Sequence, residues 1–227
     1  MLPKFQPDVL GYQIAGKSIP AKDVGGDYFD FIQIDEDRLA FCIADISGKG
    51  IPAAILMANL QASLRGQAKL DKSSKDCVSF TNDILYHNTA PNKFATLFYG
   101  ILNNVTHEIT YCNAGHNEPF LFSKENKLTK LSTGGLVAGI VPSYPFEEAA
   151  FSMLPGELLI LFSDGITEAM NNNEEEFGDD RLMEVIVNHR TESPEKLIEI
   201  IFKYVKKFCD NTAQMDDMTI VIIKRKE

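Results

Sequence analysis

The sequence predicts an α+β fold for this chain of 227 residues. Apolar runs of strand length occur near both ends of the chain and in its middle, and two pairs of helix-like segments separate them. The strands do not alternate with helices one by one, as a parallel βαβ protein requires. No linker-like tract and no internal repeat divides the sequence, so we expect one domain across residues 1–227.

The first part of the chain predicts three strands followed by a helical pair. An extended lead-in at residues 1–10 contains two prolines, and the strands after it are Tyr12–Ile19, Tyr28–Ile34 and Leu39–Ala44. After Gly50 the apolar residues recur with helical spacing. One stripe of this helix contains Ile51, Ala54, Ile55, Ala58 and Ala62, and the other contains Leu56, Leu60 and Leu64. The inner face of a second helix contains Cys77, Phe80, Thr81, Ile84 and Leu85, so the pair covers about residues 51–88.

The second part of the chain predicts further strands, two helices and a final strand. The apolar runs are Ala95–Leu102, Ile109–Ala114, Phe120–Ser123, Phe146–Met153, Leu158–Phe162 and Met218–Ile223. The acidic, asparagine-rich segment Asn171–Asp180 predicts a solvated loop before the helices. Ser193 and Pro194 have the residue types favoured at the N-cap and the first position of the second helix.

Composition and charge argue against several classes of function. The formal net charge of −10 leaves no basic surface to neutralise phosphates, so we expect no nucleic-acid partner. The four cysteines make no C-x-x-C pair, and Cys42 and Cys112 lie in apolar runs, as reduced cysteines do. No apolar stretch reaches membrane-spanning length, and the N-terminus lacks the pattern of a signal peptide. We therefore expect a cytoplasmic protein without membrane insertion.

Aspartates in four short motifs are the most informative feature of the sequence. The motifs are Gly25-Gly26-Asp27, Ala44-Asp45-Ile46-Ser47-Gly48-Lys49-Gly50, Ser163-Asp164-Gly165 and Asp216-Asp217-Met218-Thr219. A single acid at a strand end is most often a turn former or a helix cap. Several that converge without basic neighbours instead predict one or two hard divalent cations, because Mg²⁺ and Mn²⁺ prefer oxygen ligands.

Other catalytic patterns in the sequence fail on physical grounds. Gly11–Ser18 matches the phosphate-binding pattern G-x-x-x-x-G-K-S, but its interior is bulky and strand-like, and Ile19-Pro20 follows it directly. No cysteine has the spacing to an arginine that thiol phosphatases use, and no G-x-S-x-G motif occurs. The four histidines lack metal-ligand spacing. Among them, His116 lies in the tight turn Asn113–Asn117, where it either has a functional role or only orders the turn.

Five motifs in order make the sequence recognisable. They are Pro20–Asp30, Ala44–Gly50, Asn113–His116, Ser163–Glu168 and Asp216–Thr219. Together they resemble the metal-dependent phosphatases of the protein phosphatase 2C (PP2C) type, specifically the bacterial SpoIIE/RsbU branch, and the resemblance runs from about Leu2 to the last strand. It implies a β-sandwich of two antiparallel sheets with helices on both outer faces and a two-metal site at one edge.

The resemblance also implies the site residues. The ligands carried over are Asp27, Asp45, Asp164, Asp216 and the backbone carbonyl of Ile46, where eukaryotic members have glycine. Asp217 stands where many relatives have asparagine, so it either binds a weaker third metal or supports the ligands. Lys22 stands where relatives place a basic residue, and it either steadies the substrate phosphate or is an ordinary solvated lysine.

The function implied by the resemblance is dephosphorylation of phosphoserine or phosphothreonine on a partner protein, with two Mn²⁺ or Mg²⁺ ions activating a water. The substrate expected from the branch is a small phosphorylated anti-sigma-factor antagonist, controlled by an upstream sensor or regulator. Relatives often carry an N-terminal sensory or receiver domain, so the chain is either a stand-alone enzyme or part of something longer. Two alternatives stay open: a pseudophosphatase that acts as a binding module, and a two-metal phosphatase of small phosphate esters.

The helical pair across residues 51–88 has two interpretations. Because it begins directly after the motif that contains Asp45, a rotation of its first helix would move a ligand, and two apolar stripes offer two ways of packing. Related phosphatases are thought to switch through the corresponding helices, so the resemblance favours a regulatory lever. The alternative is an ordinary buried pair.

Overall fold

The computed structural model describes residues 2–3, 5–22, 25–48, 50–70, 72–89, 93–210 and 212–227, without the side chains of Ile51 and Pro52. In the first half of the chain the elements are β1 (Tyr12–Ile19), β2 (Asp27–Gln33), β3 (Arg38–Ile46), α1 (Ile51–Ala68), α2 (Ser74–Asn88), β4 (Ala95–Asn103) and β5 (Glu108–Ala114). The second half contains β6 (Phe120–Phe122), β7 (Leu128–Lys130), β8 (Gly134–Gly135), β9 (Ala149–Ser152), β10 (Leu158–Phe162), α3 (Asp164–Thr167), α4 (Gly178–His189), α5 (Pro194–Cys209) and β11 (Met218–Arg225).

The strands form two sheets. The first sheet has the order β1-β11-β10-β6-β7, and all of its pairings are antiparallel. The second sheet has the order β2-β3-β4-β5-β8, with β9 also paired to β5. Its pairings are antiparallel except for the short parallel contact between β5 and β8. Both ends of the chain thus meet in the first sheet, where β11 lies between β1 and β10.

Alternating side chains of β3 show how the layers are built. Ala40, Cys42 and Ala44 pack in one core with the leucines of α1, and Phe41 and Ile43 pack in another between the two sheets. A third core joins α4 and α5 to the outer face of the first sheet. A strand covered on both faces must be apolar at successive positions, which explains the unbroken apolar run in β3. The order of layers is helix, sheet, sheet, helix, and it confirms the predicted fold class.

Most predicted elements are confirmed with small shifts at their ends. The observed bounds of β1 and β10 are those expected, and β1 includes most of the Gly11–Ser18 pattern, so that segment is a strand. The Ser193 hydroxyl accepts the N–H of Lys196 at 3.3 Å, as an N-cap does. No helix in the described residues is long and apolar enough to cross a membrane.

Three predictions need correction. The loop expected to extend to Asp180 ends earlier, because α4 begins at Gly178 and takes two aspartates into its first turn, where the helix dipole favours acids. The strand expected at Phe146–Met153 covers only Ala149–Ser152, since Phe146 packs in the core beneath the helical pair instead. The predicted faces of the helical pair are only partly buried: of the two stripes of α1 only the leucine stripe is buried, with Ile55 of the other 60% exposed, and in α2 Phe80 points away from the core and is 44% exposed.

Candidate functional site

The predicted acidic residues lie where strands of both sheets end at one edge of the sandwich. In the second sheet Asp27 begins β2 and Asp45 lies near the end of β3, and the antiparallel register places them opposite each other. In the first sheet Asp164 follows β10 after Ser163, and Asp216 and Asp217 immediately precede β11. Because β10 and β11 are antiparallel neighbours, the end of one meets the start of the other. Acids separated by long stretches of sequence are therefore brought to the same edge.

A cleft at this edge brings several predicted residues together. It is lined by Ala21, Lys22, Gly26, Asp45, Gly48, Asp216 and Asp217. Lys22 is exposed at the surface of the cleft, so a basic side chain lies beside the acids. Lys49 of the second motif lies outside the described residues.

The carboxylates at this edge repel one another. Burial raises the pKa of Asp45 to about 7, and the neighbouring Asp164, Asp216 and Asp217 add to that rise. Burial also raises the pKa of Asp27 well above its usual range, where the hydroxyls of Thr219 and Ser163 oppose the shift and the charge of Asp45 adds to it. The charged neighbours that move these two pKa values most are all carboxylates. A cation at the site would relieve this repulsion.

One carboxylate oxygen is buried without a partner. Within the described residues Oδ2 of Asp27 makes no hydrogen bond, and the side chain is 5% exposed. The two nearby hydroxyl groups have other acceptors, since Thr219 donates to Ser18 Oγ and Ser163 donates to the carbonyl of Asp217. A buried polar atom that the protein leaves unsatisfied indicates a bound water or ion.

Asp217 differs from the other acids because backbone N–H groups saturate it. Its Oδ1 accepts the N–H of Ala21 at 2.7 Å, and its Oδ2 accepts those of Gly26 at 2.5 Å and Asp27 at 3.3 Å. The carboxylate thereby fixes the backbone on either side of Lys22 and at the start of β2. Of the two roles left open by the sequence, this geometry favours support of the ligands.

Two motif glycines are required by close approach of the backbone. A Cβ atom on Gly26 would lie 3.1 Å from the carbonyl oxygen of Ile46 and 3.4 Å from Oδ1 of Asp45. Both oxygens therefore point toward Gly26, on the wall of the cleft. A Cβ atom on Gly165 would lie 2.1 Å from the carbonyl oxygen of Asp217, which excludes any side chain there.

The donor set fits hard divalent cations. The ligands predicted from the sequence are all oxygen atoms: the carboxylates of Asp27, Asp45, Asp164 and Asp216 and the carbonyl of Ile46. No three His, Cys, Asp or Glu side chains of the described ranges form a closed metal-binding group on their own. Such an open arrangement suits Mg²⁺, which keeps several waters and takes few protein ligands, more than a closed protein cage.

Two residues at the site were missed by sequence reasoning. Thr96 lies opposite Asp45 in the β3–β4 pair, and its hydroxyl accepts the N–H of Asp45 at 3.3 Å. Nothing local in the sequence marks Thr96, because its place depends on the register of two distant strands. Ser163, whose hydroxyl accepts the N–H of Thr219 at 2.9 Å, stood inside a recognised motif and could have been found there.

Comparisons with known proteins show the family of this chain. Residues 35–226 match the model of the family described as Stage II sporulation protein E (SpoIIE). Phosphoserine phosphatase RsbU of Bacillus subtilis (strain 168) is 31% identical over 221 residues, which cover 97% of this chain and 65% of RsbU. Protein IcfG of Synechocystis sp. is 30% identical over 251 residues, covering 99% of this chain and 39% of IcfG. The chain thus spans less than two thirds of the length of these two curated relatives.

Solved structures show the same fold. The PP2C phosphatase domain of SpoIIE from Bacillus subtilis, solved with a fragment of its regulatory domain, superposes with a TM-score of 0.82 at 20% identity, covering 96% of this chain and 64% of that one. The RsbU and RsbW domains of Rv1364c from Mycobacterium tuberculosis superpose with a TM-score of 0.78 at 24% identity. The match covers 97% of this chain and 63% of that one. The chain therefore belongs to the SpoIIE family and has the fold of its PP2C phosphatase domain.

Proposed function

We propose that the chain is a metal-dependent phosphatase that hydrolyses a serine or threonine phosphomonoester on a partner protein. The observation that carries this proposal is the convergence of acids from four strand ends at one edge of the sandwich, where Oδ2 of Asp27 is buried without a hydrogen-bond partner in the described structure. Membership of the SpoIIE family and similarity to phosphoserine phosphatase RsbU support it.

The acidic residues at the edge of the sandwich would hold the metal ions. Asp27, Asp45, Asp164 and Asp216, with the carbonyl of Ile46, would hold two Mn²⁺ or Mg²⁺ ions. Bound there, such a pair would lower the pKa of a bound water to near neutrality and would neutralise the negative charge on the phosphoryl oxygens.

Two further residues act on the phosphate side of the cleft. Lys22 is exposed at the cleft, where its ammonium group can meet the charge of an entering phosphate. Asp217 holds the backbone that carries Lys22 against the acids. Among the described residues that line the cleft none is a serine, cysteine or histidine, so the lining supplies no hydroxyl, thiol or imidazole nucleophile.

The substrate that we propose is a phosphorylated anti-sigma-factor antagonist, with the enzyme acting in the cytoplasm under an upstream regulator. The similarity to RsbU supports a phosphoserine substrate. The net charge of −10 means that a phosphoprotein is repelled at long range, so recognition depends on short-range contacts at the cleft.

We also propose that the helical pair regulates the site. The packing supports this role because Leu60 and Leu64 of α1 are fully buried in the same core as Ala44 and Ile46, which flank Asp45 in β3. A movement of α1 would therefore shift the part of β3 that carries the proposed ligand Asp45.

The test of the activity uses purified protein with Mn²⁺ and four substrate classes: phosphoserine peptides, phosphothreonine peptides, p-nitrophenyl phosphate and nucleotides. Asp45→Asn and Asp164→Asn should each abolish metal-dependent turnover, because an amide does not neutralise bound cations. Asp179→Asn, which alters an exposed aspartate paired with Lys130, is the matched control and should stay active.

The outcomes separate the alternatives. Turnover of peptides well above that of nucleotides supports a protein phosphatase, whereas the reverse order supports a phosphatase of small esters. A folded wild-type protein that binds Mn²⁺ but turns over nothing would indicate a pseudophosphatase. Full activity in either of the two site variants would refute the assignment of the ligands.

A further inference from the structure

The turn Asn113–His116 has no part in the function proposed so far. His116 follows β5 on the connection to β6, so it lies where the chain passes from the second sheet to the first. Its backbone N–H donates to Asn113 Oδ1 at 2.8 Å, and its carbonyl accepts Asn113 Nδ2 at 3.1 Å. The turn is therefore ordered by the backbone of His116 and the side chain of Asn113. The imidazole ring contributes nothing to these two bonds, although it is buried.

The ring instead contacts the strand next to a proposed ligand. Nδ1 of His116 lies 2.8 Å from Oγ1 of Thr96. That same oxygen accepts the backbone N–H of Asp45 at 3.3 Å, and Thr96 and Asp45 are direct partners across the β3–β4 pair. The ring is thus two hydrogen bonds away from the backbone of Asp45.

The protonation of the ring follows from these contacts. Burial lowers the pKa of His116 to about 4, so the imidazole is neutral near pH 7. Because Thr96 Oγ1 accepts the Asp45 N–H, the hydroxyl hydrogen is available for Nδ1, and the ring hydrogen then belongs on Nε2.

The other side of the ring faces the second acid-bearing strand. Nε2 has no hydrogen bond of good geometry in the described structure, yet the backbone carbonyl of Phe162 is the group that favours protonation of the ring. Since Nδ1 bonds Thr96, the backbone of Phe162 lies on the Nε2 side of the ring, without a hydrogen bond to it. Phe162 ends β10, two residues before Asp164. The ring therefore stands between the strands that carry Asp45 and Asp164, one from each sheet.

We propose that His116 is a positioning residue that holds Asp45 in place through Thr96, from its buried position between β4 and β10. The proposal rests on the proposed function, because the position of Asp45 matters only if Asp45 binds metal. Residues that orient metal ligands typically contribute 10–100-fold to metal affinity. A residue that only orders a turn would affect stability and leave metal affinity unchanged.

The experiment measures Mn²⁺ affinity of the purified protein by titration calorimetry and the free energy of unfolding by urea denaturation. Thr96→Val removes the hydroxyl at nearly constant volume and should weaken Mn²⁺ binding about 10–100-fold, and Thr96→Ser should restore it. His116→Ala should weaken binding as strongly. His107→Ala is the matched control: its Nδ1 bonds the hydroxyl of Tyr12 at 3.1 Å, at the opposite end of the strands. It should keep wild-type affinity.

The results separate the proposal from the function on which it rests. Wild-type protein that binds no Mn²⁺ would refute the proposed function itself. Wild-type protein that binds Mn²⁺, together with Thr96→Val protein that binds it equally well, would refute the role of His116 alone. If His116→Ala does not fold, the Thr96→Val and Thr96→Ser pair decides the question. Loss of affinity in both folded variants, with His107→Ala unchanged, supports the proposal.

Discussion

Arg65 in α1 forms an ion pair whose removal should destabilise the protein strongly. Its guanidinium donates to both carboxylate oxygens of Asp30, at 2.6 Å from Nε and 3.1 Å from the terminal nitrogen. The Asp30 side chain in β2 is 0% exposed, and it also accepts the hydroxyl of Tyr28 at 2.5 Å. Arg65→Met would leave a buried carboxylate without its cation.

The expected loss follows from the burial of Asp30. Removing one partner of a buried ion pair costs about 3–5 kcal/mol. Because the Arg65 side chain is 51% exposed, water can reach part of the space it leaves, so we expect the lower end of that range. For a domain of this size about 3 kcal/mol corresponds to a fall in Tm of roughly 6–12 °C.

A second arginine–aspartate pair provides the control. Arg38 donates to Asp35 at 2.8 Å and 2.6 Å, but the two side chains are 34% and 43% exposed. Water and salt screen such a pair, so Arg38→Met should leave Tm nearly unchanged. Thermal unfolding of the two variants, measured without metal, makes the comparison. A fall in Tm for Arg65→Met no larger than that for Arg38→Met would refute the reasoning, and addition of Asp30→Asn to Arg65→Met should recover part of the loss.

Three further outcomes are expected. Lys17→Ala should leave phosphatase activity unchanged, and the wild-type protein should show no saturable ATP binding, because Lys17 lies inside β1. Micromolar ATP binding that is lost in the Lys17→Ala variant would contradict this expectation. Leu60→Ala should shift the Mn²⁺ concentration for half-maximal activity more than Leu182→Ala does, although both leucines are 0% exposed, and equal shifts would leave α1 and α2 as plain scaffold. The metal-free protein should unfold more easily at pH 8 than at pH 6. The folded pKa of Asp45, about 7, exceeds its unfolded value of 3.8, so stability is lost as pH rises through 7, and Asp45→Asn should reduce this dependence.

The sequence predicted the parts of the fold that local pattern determines. β1 and β10 have the expected bounds because turn-forming residues flank each of them, and β10 is also a continuous apolar run. The position of Asp45 near the end of a buried strand was likewise visible, since Gly48 and Gly50 follow shortly after it. The resemblance to PP2C phosphatases then supplied the layer order, which no local pattern contains.

What the sequence did not reveal depends on distant residues. β8 consists only of Gly134 and Gly135, and its close approach to β5 requires glycine, because a Cβ atom on Gly134 would lie 2.0 Å from the carbonyl oxygen of Asn113. Such a strand has no periodicity to detect. The same holds for Thr96, whose contact with Asp45 exists only through the β3–β4 register. The exposed stripe of α1 was also not separable from the buried one, because both are apolar in sequence.

The hydrogen bonds of Asp217 have a consequence for how the protein is made. They join residues 191 and 196 positions apart in the chain, Gly26 and Ala21 being the partners. Contacts of such separation form late in folding, since a long loop must close first. During synthesis a nascent chain that has not reached β11 already contains Asp27 and Asp45, yet it lacks the residue that fixes the backbone around the first of them. The acidic edge is therefore completed only after β11 has been synthesised, and an active site requires that β11 has been inserted between β1 and β10.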